Sequence, residues 1–445
     1  MPLPPPLHDV IRSVPDISAY PTFVKMTENT AAMHARYPEL VTVTEVGVSA
    51  QGTPIDMISV GKGPLSALFV GAPHPNEVIG CAVIEYLITR LCQDAAFREE
   101  IPFRWHFIKA IEPDALRLNE GWFRSPGNLQ RYYEQYYRPP LNQQAEYAFP
   151  FADNDWLSRH PLPENIAWQN AIRLARPDFL YSLHNSEAGG VYYVASGYPA
   201  GLAGTLKEIC HQSGLSLNTT GETELRDSQY EPGLFHFPDM KALVGVPADD
   251  YPENGCRPVG NSSAGYTAAS GTFSIFTEVP YWNSPLLDNR QLTPLSIRDV
   301  DAELAPLNAQ VVVLAEKALA LKTDEDGPVS MNLRQTLQMH HAQFAVPAAF
   351  DRDVGEKLSR GDKTRLSIKG RLERLSTLGL ICRLAGDSRL TTECRQILAE
   401  QSAYLVNAEK MTAVPVKKLC RLQIQAGLET MVALTKSSYG YQKSD

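Results

Sequence analysis

The sequence lacks the features that mark several broad classes of protein. It contains no basic block of the kind that binds phosphate backbones, and its acids and bases are mixed along the chain with a net charge of −9. This argues against a nucleic-acid partner. No run approaches the roughly 18 apolar residues of a membrane span, and "MPLPPPLHDVIRSVPD" has neither the basic nor the apolar region of a secretory signal. We therefore expect contact with neither nucleic acid nor a membrane.

Ordered cysteine patterns are also missing. The seven cysteines are odd in number and irregularly spaced, and no two form a Cys-x-x-Cys pair. This excludes a disulfide framework and a thiolate zinc site. Buried free thiols in a reducing compartment are the simplest interpretation, so we expect a cytoplasmic location.

Two different patterns divide the 445 residues. Residues 1–325 alternate strand and helix patterns, which predicts an α/β catalytic domain with a mixed, largely parallel central sheet flanked by helices. Residues 326–445 contain successive amphipathic patterns, which predict a separate all-α helical bundle. The polar stretch "KTDEDGPVS" suits the boundary between them. The bundle has three open roles: homo-oligomerisation, covering a cleft, or binding a partner.

The stretch "GAPHPNEVIG" follows the apolar run at residues 65–71 and precedes a helical pattern. Its proline and asparagine indicate a turn, so His74 and Glu77 are expected to lie together between a buried strand and a helix. Glu77 also suits the first turn of a helix, where the helix dipole favours an acid. An imidazole and a carboxylate are common zinc ligands. The spacing therefore predicts two ligands of a metal site.

A third ligand and a base come from two later strand patterns. His184 follows "DFLYSL" and precedes a turn, and Glu278 lies near the end of "GTFSIFTEVP". Ligands in open α/β sheets gather beyond the carboxyl ends of the strands. We therefore predict His184 as the third zinc ligand and Glu278 as the catalytic base. Glu187, in "HNSEAGG", is the alternative base.

The ordered set of H-x-x-E, a distant strand-end H and a late F-T-E resembles the zinc carboxypeptidases of the carboxypeptidase A-like family. "EPD" at 112–114 resembles that family's Asn-Pro-Asp segment, and "RLN" at 117–119 resembles its Arg-x-Asn. "PLPEN" at 161–165 resembles the stretch before its next helix. The resemblance covers roughly residues 20–320, whereas the C-terminal helices match no pattern of the family.

The resemblance implies a carboxypeptidase-like fold, one zinc ion per chain and a peptide or related amide as substrate. It implies zinc-assisted hydrolysis with Glu278 as general base. It also implies that Arg117 stabilises the oxyanion. The family places a mobile tyrosine over its substrate, and Tyr251 and Tyr266 are the candidates here.

One departure concerns the end of the substrate. The family holds a free α-carboxylate with the Asn-Arg pair of Asp-x-Asn-Arg-Asn, but the nearest match here is "FADNDWLSR". Asn154 matches the asparagine, and Asp155 stands where the arginine is expected. Because an acid does not bind a carboxylate, either Arg124 or Arg159 takes that role, or the substrate end carries a basic or amine-bearing group that pairs with Asp155.

The sequence therefore predicts a zinc-dependent hydrolase that cleaves a peptide or related amide bond near a chain end. One alternative is an N-acyl amino acid deacylase of the aspartoacylase kind, which shares the ligand pattern. A second is a non-catalytic binding protein on this fold, which the presence of all four chemical groups disfavours.

Overall fold

A computed structural model describes residues 3–151, 161–244, 258–321, 328–345 and 356–436. One sheet runs through this part of the chain. Its strands are β1 (Val41–Val48), β2 (Pro54–Val60), β3 (Leu65–Gly71), β4 (Phe103–Ile108), β5 (Phe179–Ala188), β6 (Tyr192–Ala195), β7 (Gln229–Glu231), β8 (Leu234–His236), β9 (Phe273–Asn283) and β10 (Thr412–Ala413).

Helices cover the sheet and make up most of the C-terminal part. They are α1 (Pro5–Arg12), α2 (Phe23–Arg36), α3 (Ile79–Gln93), α4 (Ala95–Glu100), α5 (Pro113–Arg117), α6 (Leu129–Glu134), α7 (Pro163–Ala175), α8 (Leu202–Ser213), α9 (Met240–Val244), α10 (Ser263–Thr267), α11 (Ile297–Leu319), α12 (Pro328–Ala345), α13 (Arg360–Ala385), α14 (Arg389–Asn407) and α15 (Val416–Lys436). Within the described ranges, none of these helices has the length and apolar character needed to span a bilayer.

The sheet has the order β1-β2-β4-β3-β5-β9-β6-β8-β7, with β10 beside β9. The neighbours β4, β3, β5 and β9 are parallel. Strand β2 pairs antiparallel with β4, β1 pairs antiparallel with β2, and β6 pairs antiparallel with β9. The central strands are buried on both faces, which explains their continuous apolar runs. The predicted α/β fold, with a mixed sheet flanked by helices and a helical C-terminal region, is confirmed.

Two strands extend further than their sequence patterns indicate. The predicted end of the strand at His184 is wrong, because β5 continues to Ala188 and pairs with β9 as far as Trp282. Glu278 likewise lies inside β9 rather than at its end. The strand that stops is β3, whose last residue, Gly71, lies opposite Leu183. The polar side chains therefore gather where β3 ends while β5 and β9 run on.

The C-terminal helices pack directly against the sheet and its loops. A side chain added at Gly427 of α15 would come within 2.7 Å of the Tyr181 ring on β5. One added at Gly379 of α13 would come within 1.8 Å of the carbonyl oxygen of Tyr133. The division of the chain into domains at residue 325 stays a prediction. Helix α13 nevertheless approaches the backbone of α6 as closely as glycine allows.

We expect Gly379→Ala to destabilise the protein by at least about 2 kcal/mol, because the new methyl group has no room against the Tyr133 carbonyl. Gly204, on the exposed side of α8, has no atom within 4 Å of an added side chain. Gly204→Ala should therefore stabilise by up to about 1 kcal/mol through helix propensity. Urea unfolding of both variants measures the difference in the free energy of unfolding, and equal effects would contradict the close packing of α13 on Tyr133.

Candidate metal centre

The turn after β3 presents His74 and Glu77 on one side. Ala72, the first residue beyond the strand, is buried and adopts a left-handed backbone with φ of 45°. Such a conformation is costly for alanine and reverses the chain sharply. The Glu77 N–H then donates to the His74 carbonyl at 3.0 Å. The two side chains are thereby brought together before α3 begins.

Strands β5 and β9 hold this turn in place. Helix α3 begins without a side-chain cap of its own, so its first N–H groups need other acceptors. The Tyr281 hydroxyl on β9 accepts from the Val78 N–H at 2.8 Å and donates to the Asn76 carbonyl at 2.9 Å. On β5, Asn185 Oδ1 accepts from the Ile79 N–H at 2.9 Å. The turn is therefore positioned by the two strands that carry the other site residues.

His74, Glu77 and His184 form one buried cluster. Their ligand atoms lie within 4.8 Å of one another, and the three residues are 1%, 3% and 5% exposed. His184 Nδ1 lies 2.9 Å from Glu77 Oε2, which also accepts from the Asn185 N–H at 3.1 Å. The two imidazole rings are 5.1 Å apart and nearly edge to face. The structure thus brings together three residues that are separated by up to 110 positions in the sequence.

The protonation states suit a metal. Burial lowers the pKa of His74 well below its ordinary value, and the nearby Arg138 adds to this. Burial works against the Glu77 carboxylate, but Arg138 and the hydrogen bond with His184 outweigh it and lower the pKa of Glu77. A neutral imidazole and an ionised carboxylate are the forms that bind metal ions.

The donor set also fits zinc, which two imidazole nitrogens and one carboxylate oxygen hold in hydrolase sites. His74 Nδ1 is buried and has no hydrogen bond of ordinary length among the described residues. A buried polar atom without a partner is costly, and binding to an ion at this position would satisfy it. The chain therefore contains a cluster able to hold one zinc ion, as the sequence predicted.

Glu278 lies directly beside the cluster. It is in register with His184 across β5 and β9, and its Oε1 lies 3.6 Å from His184 Nδ1. Its other oxygen is buried without a hydrogen-bond partner among the described residues. Burial, together with the carboxylates of Glu77 and Glu222, raises the pKa of Glu278 well above its ordinary value. Glu278 is therefore a carboxylate that readily accepts a proton.

Arg138 is the principal site residue that the sequence did not reveal. Its Nη1 donates to Glu77 Oε1 at 2.7 Å, on the side of the carboxylate away from His184. The segment before it is held by α13, where Arg383 Nη1 donates to the carbonyls of Gln135 and Tyr136, each at 3.1 Å. The only sequence signal was a cation followed by two prolines in an aromatic, irregular stretch.

Arg117, the predicted oxyanion residue, has its contacts elsewhere. Its Nη1 donates to Thr53 Oγ1 at 2.9 Å and lies 3.8 Å from Asp114, and its guanidinium stacks 4.6 Å from the centre of the Phe23 ring. None of these partners belongs to the metal cluster. Within the described ranges, no contact supports the role that the resemblance gave to Arg117.

Of the four residues predicted to bind the substrate end, only Arg124 belongs to the part of the chain that the structure describes. Asn154, Asp155 and Arg159 lie outside the described residues. Arg124 is exposed and lines a surface cleft with Asp16 and Lys417. No member of the metal cluster lines that cleft.

The tyrosines and the alternative base are placed as follows. Tyr251 lies outside the described residues, and Tyr266 packs 5.0 Å from the Phe149 ring. Instead, the ring of Tyr147 lies 5.3 Å from that of His74.

Glu187 accepts from the Tyr132 hydroxyl at 3.5 Å, and burial raises its pKa to about 7. Glu187 is thus a second carboxylate near the site, but no bond joins it to the cluster.

Comparison with known families agrees with the motifs. Residues 26–121 match the family model described as zinc carboxypeptidase, a segment that includes both His74 and Glu77. The match confirms the resemblance to the zinc carboxypeptidases over this segment. None of the curated protein sequences compared with the chain matches it significantly.

Several solved carboxypeptidase structures share partial likeness with the chain. Carboxypeptidase A from Helicoverpa armigera is 15% identical, with 59% of this chain and 65% of that chain aligned and a TM-score of 0.37. The metallo-carboxypeptidase from Burkholderia cenocepacia is 16% identical over 57% of this chain and 59% of that one, with a TM-score of 0.33. Bovine thrombin-activatable fibrinolysis inhibitor, in complex with tick carboxypeptidase inhibitor, is 11% identical over 58% and 86%, with a TM-score of 0.37. The chain thus spans about 65% of the length of the Helicoverpa armigera protein.

We expect the purified protein to bind one zinc ion per chain, and His184→Ala to weaken that binding by about 100-fold or more. Loss of a ligand should cost more than the 10- to 100-fold loss seen when groups that only orient ligands are removed. His211 on α8 is exposed and serves as the matched control, since His211→Ala should leave binding unchanged. Competition with a chromophoric chelator measures both. Wild-type affinity in His184→Ala would contradict the assignment.

Proposed function

We propose that the protein is a zinc-dependent hydrolase that cleaves a peptide or related amide bond near a chain end and releases the terminal residue. The observation that carries this proposal is the buried carboxylate of Glu278 beside the His74–Glu77–His184 cluster. The match of residues 26–121 to the zinc carboxypeptidase model supports it.

His74, Glu77 and His184 would hold the metal. A zinc ion bound there supplies Lewis-acid polarisation of the scissile carbonyl. The chain's own contribution is to present two imidazoles and one ionised carboxylate with little access to bulk water. Arg138 contributes by pairing with Glu77, which keeps that carboxylate ionised and fixes its orientation.

Glu278 would act as the general base. It takes a proton from the attacking water and returns it to the nitrogen of the leaving amine. The role requires a carboxylate with a free oxygen and a raised affinity for protons. Glu278 has both, because its Oε2 is unpaired among the described residues and its pKa is raised by burial.

Recognition of the substrate end remains assigned by sequence alone. Asn154 is proposed to bind that end, with Arg124 or Arg159 as the cation if it is a free carboxylate. Asp155 is proposed as its partner if it carries a basic or amine-bearing group. For the oxyanion, Arg138 already adjoins the cluster, whereas Arg117 contacts residues outside it.

Product analysis tests the function and separates its alternatives. The zinc-loaded protein is incubated with peptides that have free or amidated ends and with N-acyl amino acids, and the products are identified by mass spectrometry. Release of single terminal residues from peptides is the expected result. Release of a small acid from acylated amino acids would favour the deacylase, and no turnover of any substrate would favour the non-catalytic binding protein.

Glu278→Gln should lower turnover by roughly 10²- to 10⁴-fold, the usual contribution of a general base, while zinc stays bound. The amide has nearly the shape of the carboxylate but does not accept the proton. Rates and zinc content are measured on the same preparation.

Glu187→Gln is the matched control, because Glu187 is also a carboxylate with a raised pKa at this end of the sheet. It should retain most activity. Full activity in Glu278→Gln, combined with loss in Glu187→Gln, would transfer the base to Glu187.

A further inference from the structure

The last helix, α15, places a polar side chain directly beneath the metal cluster. Gln423 is fully buried. Its Nε2 donates to the carbonyl oxygen of His184 at 2.8 Å and to that of Thr277 at 2.8 Å. One of these carbonyls belongs to the proposed metal ligand, and the other belongs to the residue before Glu278. A single amide group therefore joins the backbone at both functional positions.

The two carbonyl acceptors fix the orientation of this amide, and its third contact agrees with that orientation. The Tyr181 hydroxyl on β5 donates to Gln423 Oε1 at 2.6 Å and also lies 2.8 Å from Thr277 Oγ1. An amide nitrogen only donates and an amide oxygen only accepts. The two carbonyls and the hydroxyl therefore match one orientation of the side chain. A flipped amide would leave buried groups unsatisfied, which is costly.

The Gln423 amide binds the sheet at the residues that carry the site. His184 and Glu278 face each other in register across β5 and β9. The pairing of β3 with β5 ends at Gly71 and Leu183, one residue before His184. Gln423 thus donates its two hydrogen bonds, to the carbonyls of His184 and Thr277, just beyond the point at which β3 stops pairing with β5.

We propose that Gln423 is a positioning residue, which sets the distance and orientation of His184 relative to Glu278 through their backbone. This inference rests on the proposed function, in which His184 is a metal ligand and Glu278 is the base. It assigns to the C-terminal helix a direct part in the geometry of the metal site, in addition to its packing on the sheet.

Gln423→Glu is the sharpest test, because the substitution keeps the size of the side chain but replaces the amide donors with a carboxylate oxygen facing two carbonyls. We expect zinc affinity to fall by roughly 10- to 100-fold, as for other groups that orient ligands. We also expect a changed visible absorption spectrum in the cobalt(II)-substituted protein. Gln425→Glu, two positions along on the same helix and partly exposed, is the matched control and should change neither quantity.

A second variant keeps the test decisive if Gln423→Glu does not fold. Tyr181→Phe removes the hydroxyl that donates to the amide oxygen of Gln423 and should shift zinc affinity and the cobalt spectrum in the same direction by a smaller factor. Thermal unfolding of the metal-free proteins shows that each variant is folded. Wild-type zinc affinity and an unchanged cobalt spectrum in folded Gln423→Glu, or in Tyr181→Phe where only that variant folds, would overturn the proposal.

The same measurements separate this inference from the proposed function. A wild-type protein that binds zinc but cleaves no amide would disprove the hydrolase, while the zinc affinities would still decide the role of Gln423. Cleavage by the wild type with unaltered zinc affinity in Gln423→Glu would disprove only the role of Gln423. A wild-type protein that binds no zinc would overturn both.

Discussion

The carboxylate of Glu77 is buried, and both of its oxygens must be paired. An unpaired charge in such a place would cost several kcal/mol. Arg138 pairs with one oxygen, and His184 with the Asn185 N–H pairs with the other. These partners come from an irregular aromatic segment and from a central strand. The turn after β3, that segment and β5 must therefore meet at one point.

The remaining structure holds these three parts in place. Tyr281 and Asn185 bind the first N–H groups of α3 and so attach the turn to β9 and β5. Two C-terminal helices add further hydrogen bonds. Arg383 of α13 donates to backbone carbonyls just before Arg138, and Gln423 of α15 donates to the carbonyl of His184. Two helices of the C-terminal region thus support residues on either side of Glu77. This arrangement gives the helical region a structural role in the site, whether or not it also binds a partner.

The sequence revealed the parts of the site that local rules determine. His74 and Glu77 were found because turn residues follow an apolar strand, and His184 and Glu278 because polar residues interrupt strand patterns. The extent of β5 and β9 was not found, since their pairing beyond His184 depends on the contact between two distant strands. Tyr147 and Gln423 carried no local signal, and Arg138 was marked only by the two prolines that follow it. An irregular segment and a helix face reveal their neighbours only after folding.

The most direct test of the account is anomalous diffraction at the zinc edge from crystals of the zinc-loaded protein. We predict one ion at about 2.0–2.2 Å from a nitrogen of His74, a nitrogen of His184 and an oxygen of Glu77, the usual range for such ligands. Glu278 should lie beside the ion without being one of its protein ligands. An ion bound elsewhere, or no ion at this cluster while Glu77 stays paired with His184 and Arg138, would contradict the account.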